Sequence, residues 1–313
     1  MIVSVSRRCD IPAYFADWFW GRLEAGYVLV RNPMNPHRVS RIALTPDAVD
    51  GFVFWTKNPL PMMDRLGALE QYPYYFQFTL TPYDTDVEEN LPSKHEVLIP
   101  AFRCLSSLIG AERVIWRYDP ILTGDRYTVA YHVEAFRAMC DRLAGCTDTC
   151  TISFLDLYRN IRGRIDPLGI RPPTAGQADE IACRFAEIAR EYGLSVVTCA
   201  EDGDYSRFGI GHAACVDVQR LSRIGGIPLA VGKKDKNQRP ACGCAESVDI
   251  GAYHTCANGC VYCYANHSRS LVERSIAAYD PASPVLCSQI TAQDVISVRE
   301  MKSCRAEQTV LFE

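Results

Sequence analysis

The sequence predicts an α/β protein: a partial (βα)6 barrel of the TIM type over residues 1–225, followed by a cysteine-rich extension over 226–313 that folds over the barrel mouth. Three observations predict it. Short apolar runs alternate with longer amphipathic segments up to residue 225, the rhythm of strands joined by crossover helices in a parallel sheet. Each apolar run ends in polar or charged residues, as expected where reactive groups gather at the carboxyl ends of parallel strands. Beyond Gly226 the rhythm stops and closely spaced cysteines take over.

Apolar runs at 2–5, 52–55, 75–80, 114–116, 151–154 and 195–198 are the predicted strands. Helical periodicity fills 13–25, 60–70, 96–108, 129–143 and 175–192 between them. Residues 27–44 read as an inserted hairpin, with turn signals at Asn32-Pro33 and Asn35-Pro36. The Gly, Lys and Pro-rich segment 231–240 reads as a linker, and the tail carries helical patterns at 271–278 and 292–301.

The strand ends load one mouth with chemistry. After the first strand come Ser6, Arg7, Arg8 and Asp10; after the second, Thr56, Lys57 and Asn58; after the third, Thr79 and Thr81. The fourth is followed by Arg117 and Asp119, the fifth by Asp156, Arg159, Arg162 and Arg164, and the sixth by Cys199 and Glu201. Arg8, Asp10, Lys57, Asp119 and Glu201 are the candidates for catalysis, since arginine forks onto carboxylate or phosphate oxygens and carboxylates at a mouth move protons. Thr56, Asn58 and Arg117 are the candidates for holding a cofactor. Each also has a plain structural reading: an Arg-Asp pair ordering the first loop, a helix-capping turn before Pro59, or hydrogen bonding at Asp119 and Glu201.

A chain of 313 residues with 48% hydrophobic residues can bury a barrel-sized core, and its net charge of -4 excludes a global basic field for polyanions. No apolar run reaches the ~20 residues that span a bilayer. Fifteen cysteines, an odd number, behind an N-terminus without a secretory layout point to a reducing cytoplasm, where clustered thiols serve as metal ligands. Cys104, Cys140, Cys150 and Cys183 fall among apolar neighbours and are expected in the core. His212 and His254 lie near cysteines in sequence.

The densest thiol grouping is Cys256-Ala257-Asn258-Gly259-Cys260-Val261-Tyr262-Cys263-Tyr264, a CxxxCxxC pattern. Three such thiolates can ligate three irons of a 4Fe-4S cluster and leave the fourth open. Cys199, Cys215, Cys242 and Cys244 form a second group that would close the coordination of a second iron-sulfur cluster. In the alternative, Cys199 is core and Cys242 or Cys244 completes the first site. Arg159, Arg162, Arg164, Lys233, Lys234, Lys236 and Arg239 make the dense basic segments, either solvated loops or phosphate contacts for a nucleic-acid substrate.

The cysteine loop, with Tyr262 before its last thiol, resembles the cluster loop of the radical S-adenosyl-L-methionine (SAM) enzymes. That resemblance implies a 4Fe-4S cluster on Cys256, Cys260 and Cys263, SAM on its open iron, Tyr262 on the cofactor side, and a 5'-deoxyadenosyl radical that abstracts hydrogen from substrate. The loop departs from the superfamily in position, lying near the C-terminus rather than after the first strand, and Phe54-Trp55-Thr56-Lys57 stands where a glycine-rich SAM motif is usual.

Through Ser6-Arg7-Arg8-Cys9-Asp10-Ile11-Pro12, Trp55-Thr56-Lys57-Asn58-Pro59, Arg117-Tyr118-Asp119-Pro120, Cys199-Ala200-Glu201 and Cys242-Gly243-Cys244, the whole chain resembles a bacterial family classed as a domain of unknown function. That family usually carries threonine at the place of Cys9, so Cys9 is given no ligand role. The expected function is a permuted radical SAM enzyme with an unknown substrate and a reducing partner such as flavodoxin or ferredoxin. The alternatives are a SAM-independent iron-sulfur redox or Lewis-acid protein, and a nucleic-acid-binding or repair-associated protein with a structural cluster.

Overall fold

The computed structural model describes residues 1–230, 234–236 and 238–306; Lys233 and part of the expected linker lie outside them. In chain order the strands are β1 (Ile2–Val5), β2 (Tyr27–Asn32), β3 (Asn35–Ala43), β4 (Gly51–Thr56), β5 (Tyr74–Thr79) and β6 (Val114–Ile121). There follow β7 (Thr149–Phe154), β8 (Ser195–Thr198), β9 (Gly211–His212), β10 (Ser247–Asp249) and β11 (Val295–Val298). Eight of them form one sheet in the order β10-β1-β4-β5-β6-β7-β8-β9, every neighbouring pair parallel. The other three form a small sheet in the order β11-β3-β2.

Where a partial barrel of six strands was expected, the central sheet has eight parallel strands. No ladder among the described residues joins the edge strands β9 and β10, so the sheet is not a closed barrel. The two added strands are only 2 and 3 residues long, too short to leave an apolar run in the sequence.

Alternation along the strands gives the sheet two faces. On one, Val5, Phe52, Phe54, Phe76, Trp116 and Tyr118 meet helices through Phe19 of Ala16–Ala25, Phe136 of Val129–Leu143 and Phe185 of Ala175–Glu191. Ring centroids there lie 4.7 Å apart for Phe54–Phe76, 5.1 Å for Trp116–Phe136 and 3.8 Å for Phe136–Phe185. Each fully buried ring contributes about 1.5 to 3 kcal/mol of transfer free energy, which makes this face the main core. The opposite face buries Ile2, Val53, Tyr75 and Ile115 against Val216, Val218, Leu221, Cys215, Cys242 and Cys244.

The extension does not form a separate core. It lends β10 to the central sheet and β11 to the hairpin sheet, and Val248, Ile250, Leu286 and Cys287 pack into the same core as β1 and β4. The helix expected at 292–301 is strand β11 instead, whose Val295, Ile296 and Val298 are exposed and β-branched, a composition that favours extended backbone. The helix expected at 60–70 breaks into Leu60–Met63 and a 3-10 turn at Leu66–Leu69, with Gly67 inside the second. Of the cysteines expected in the core, Cys140 and Cys150 are buried, Cys183 is half-buried and Cys104 is exposed. No helix among the described residues is long and apolar enough to cross a membrane.

Candidate functional site at the strand ends

The loop carrying Cys256, Cys260 and Cys263 is fastened across the carboxyl ends of the central strands. Asp10, just after β1, caps the short helix Ile11–Tyr14 by accepting from Ala13 N at 3.1 Å. The same carboxylate accepts from Lys57 N at 2.7 Å, just after β4, and from Asn258 Nδ2 at 3.2 Å in the cysteine loop. Tyr14 donates its hydroxyl to Asn258 Oδ1 at 2.8 Å. From the segment after β5, Asn90 donates its backbone N–H to Asn258 O at 3.1 Å and its amide to Ala257 O at 2.8 Å. From the segment after β7, Arg164 donates to Asn266 O at 2.7 Å and to Cys263 O at 2.5 Å, and Asn160 donates to Tyr264 O at 3.0 Å. Tyr264 closes the circle by donating to Arg7 O at 2.9 Å.

Local backbone explains why the loop carries a glycine between its first two thiols. Gly259 has φ +71°, and a Cβ there would stand 3.0 Å from both Asn90 Nδ2 and Glu89 Cβ. Only glycine takes that conformation at this approach without strain.

Under the loop lies a carboxylate absent from the expectations above. Glu88 is buried and accepts from Lys57 Nζ at 2.7 Å, from Thr81 Oγ1 at 2.9 Å, and from Lys94 and the Tyr262 hydroxyl. Burial pushes this carboxyl up, but the ammonium groups of Lys57 and Lys94 outweigh it and hold the group down at about 2. Lys57 also lies 5.6 Å from the centre of the Tyr262 ring, and its charge lies within reach of Cys260. Glu88 belongs to an acidic stretch, Asp84 to Glu89, after the third strand, which is not among the sequence-derived candidates and does not mark the buried member.

Burial pushes the Cys260 thiol up to about 12 and raises those of Cys256 and Cys263 as well, so as free groups they stay protonated and a metal must displace their protons. Among the described residues, no three His, Cys, Asp or Glu side chains converge as a ready group for one metal ion. Beside the loop opens a cleft of about 660 Å³, lined in part by Arg8, Tyr158, Asn160, Tyr253, His254 and Tyr264. Arg8 reaches Gly251 O at 3.4 Å and lies 5.2 Å from the centre of the Tyr253 ring.

The remaining sequence-derived residues divide by what they touch. Thr56 accepts from Asn58 N at 2.9 Å and Asn58 from Leu60 N at 3.2 Å, so both shape the turn into the following helix. Asp10, with three N–H donors on its carboxylate, positions the loop. Glu201 accepts from Phe154 N at 2.9 Å, and burial raises its carboxyl. Arg117 faces away from the Cys256 loop: it donates to Asp119 at 3.0 Å, to Gln77 Oε1 at 3.2 Å and to Cys215 Sγ at 2.9 Å. It thus joins the second thiol group, where Cys199 Sγ and Cys215 Sγ are 2.9 Å apart. His212 bonds Thr198 and His254 pairs with His267, so neither is beside a thiol of that group or the loop by any described bond. Of the basic residues, Arg164 holds the loop and Arg239 pairs with Asp156, while Arg159, Arg162 and Lys236 are exposed.

A family model described as "Domain of unknown function (DUF1848)" matches residues 2–265, which takes in the cysteine loop. The crystal structure of "a putative alpha-L-fucosidase" from Bacteroides thetaiotaomicron is 15% identical over 74% of this chain and 84% of that chain, with a TM-score of 0.25. No curated protein matches the chain.

Proposed function

The chain belongs to the family described as a domain of unknown function (DUF1848), and we propose that it is an iron-sulfur enzyme of the radical SAM type, with a 4Fe-4S cluster held by Cys256, Cys260 and Cys263. The observation that carries this reading is the fastening of their loop to the segments after β1, β4, β5 and β7, which brings three thiols to the end of the sheet where the strand-end groups gather. The donor chemistry fits the group: three thiols close in sequence on one loop, a cation at Lys57 beside Cys260 to balance thiolate charge, and a glycine where the loop approaches Asn90 and Glu89. When bound, such a cluster with SAM on its open iron supplies a one-electron cleavage of the sulfonium and a radical able to abstract hydrogen.

The chain's own residues do the positioning. Glu88 locks Lys57 and Tyr262 in place, and Asp10 and Asn258 fix the height of the loop. Arg8 offers a guanidinium to an anionic group entering the cleft, which Tyr158, Tyr253 and Tyr264 line with aromatic rings. The consecutive parallel strand order supports the finer reading that the sheet curls as an incomplete TIM-type barrel, and the hydrogen bond from Ala245 N to Val216 O at 3.1 Å ties the segments flanking its two edges. A reducing partner such as flavodoxin or ferredoxin would supply the electron.

The test is EPR of anaerobically reconstituted, dithionite-reduced protein with and without SAM, beside the variant carrying Cys256→Ser, Cys260→Ser and Cys263→Ser. A reduced-cluster signal that shifts with SAM and vanishes in the variant is the expected result. A signal indifferent to SAM would overturn the radical mechanism and leave a redox or Lewis-acid cluster.

A further inference from the structure

The second group of cysteines sits at the one place where the central sheet lacks a ladder. Cys199 follows β8, Cys215 follows β9, and Cys242 and Cys244 precede β10. The edge strands β9 and β10 are unpaired with each other among the described residues, and the gap between them is crossed by the Ala245 N to Val216 O hydrogen bond and by these four side chains. Their sulfurs form a chain of contacts. Cys199 Sγ lies 2.9 Å from Cys215 Sγ, Cys215 meets Cys244, and Cys244 meets Cys242.

Polar donors are aimed at the sulfurs from the buried side. Arg117 Nη1 donates to Cys215 Sγ at 2.9 Å, Val216 N to Cys244 Sγ at 3.4 Å, and Cys244 N to Cys242 Sγ at 3.5 Å. Cys215, Cys242 and Cys244 are 5%, 5% and 2% exposed, so these donors have little water to turn to. The bland alternative is four core thiols acting as small hydrophobes. Arg117 is largely satisfied by Asp119 and Gln77, but a neutral thiol is a weak acceptor for its remaining N–H and for the backbone N–H groups of Val216 and Cys244, which are then poorly compensated. Thiolate ligands of a cation are full acceptors, and the guanidinium of Arg117 then faces an anionic centre.

We propose that Cys199, Cys215, Cys242 and Cys244 form a closed, mononuclear four-thiolate site for zinc or iron that staples the segment after β9 to the segment before β10. A tetrahedral ion with sulfurs at about 2.3 Å sets them roughly 3.8 Å apart. The Cys199–Cys215 approach of 2.9 Å is closer to that edge than to the wider spread of a cubane's ligands. Because the four sulfurs lie in a chain rather than around one point, binding takes rotation of the end members Cys199 and Cys242. With every position filled by protein, the site is structural and leaves no place for substrate. It stands independently of the proposed cluster on Cys256, Cys260 and Cys263.

The experiment is a metal count by mass spectrometry, with X-ray absorption at the metal edge, on the anaerobically purified Cys256→Ser, Cys260→Ser, Cys263→Ser variant. One equivalent of zinc or iron with a sulfur-only shell is the expected result, and adding Cys199→Ser should remove most of it. A folded triple variant without stoichiometric metal, a shell containing nitrogen or oxygen, or iron-iron scattering would each overturn the assignment. Should the Cys199→Ser protein not fold, cobalt(II) added to metal-stripped triple variant decides: intense sulfur-to-cobalt absorption supports the site and its absence overturns it. Failure of the SAM-dependent signal in the wild-type protein leaves this count untouched.

Discussion

At the scale of single residues, the most consequential side chain is Glu88, a carboxylate with no exposure that holds two ammonium groups, a threonine and a tyrosine at once. Removing one partner of a buried ionic network costs more than the network contributes, because the remaining charges stay desolvated. Glu88→Gln is therefore expected to lose about 3 to 5 kcal/mol of stability, read by urea denaturation, and to lower iron incorporation by loosening Lys57 and Tyr262. His132 makes a second prediction. It is fully buried, its Nε2 lies 2.7 Å from the Leu122 carbonyl and so must carry the proton, and its Nδ1 accepts from the Tyr118 hydroxyl at 2.8 Å. Burial lowers this imidazole from 6.5 to about 4, with the Leu122 bond opposing. The unfolded chain thus takes up the proton first, so the stability is whole above pH 6.5 and is lost as pH falls toward 4. The loss amounts to about 3 kcal/mol, and thermal unfolding of wild type against His132→Gln across that range should show it only in the wild type. Neither residue was singled out from the sequence, because nothing in a string of residues says that a glutamate ends up beneath a loop from the far end of the chain.

Among elements, β10 shows how a strand of 3 residues is kept in place. Asp249 at its end accepts from Ser4 Oγ at 2.9 Å, Ser6 Oγ at 2.5 Å and Arg7 N at 2.8 Å, so one carboxylate ties β10 to the exit of β1. Gly251 lets the chain leave past that knot, since a Cβ there would stand 2.1 Å from Ser6 Oγ. Asp249→Ala should cost about 1 to 3 kcal/mol and, in hydrogen exchange, speed the amides of β10 while leaving β5 and β6 unchanged. Equal acceleration across the sheet would show that Asp249 is no local latch. The cysteine loop is the counterpart: Gly259→Ala places a side chain at φ +71°, and its expected result is a lower iron content in a protein that still folds. Elements of this kind divide by legibility. The six long strands and the helix Ala175–Glu191, with its Thr174–Gln177 capping box, carry their periodicity and caps in their own residues. Strands β9 and β10 hold too few residues for a period of two, and β11 is extended because β3 pairs with it, which a helical pattern at 292–301 could not reveal.

For the whole molecule, the sequence suggested a partial barrel and an appended extension, with a change of rhythm at Gly226. What it concealed is that the later segment completes the earlier one. Met1's amino group and Cys304 N meet on Asp50, so both ends of the described chain converge on one buried carboxylate. Trp18 donates from its indole to Ser283 O at 2.9 Å, and Arg31 pairs with Asp294 at 2.7 Å. Contacts that close loops of more than two hundred residues give no local signal, yet they decide how the chain unfolds. A protein with two cores would melt in two steps. This one has a core in which residues from both sides of 226 interleave, so unfolding is expected as a single transition with coincident midpoints by far-ultraviolet circular dichroism and tryptophan fluorescence. A chain ending at 225 should lack cooperative unfolding, because β1 would lose its β10 partner and the strand ends their covering loop. A stable 1–225 fragment with a sharp transition would mean that the extension is only docked, and that the cysteine loop moves relative to the strand ends rather than being built into them.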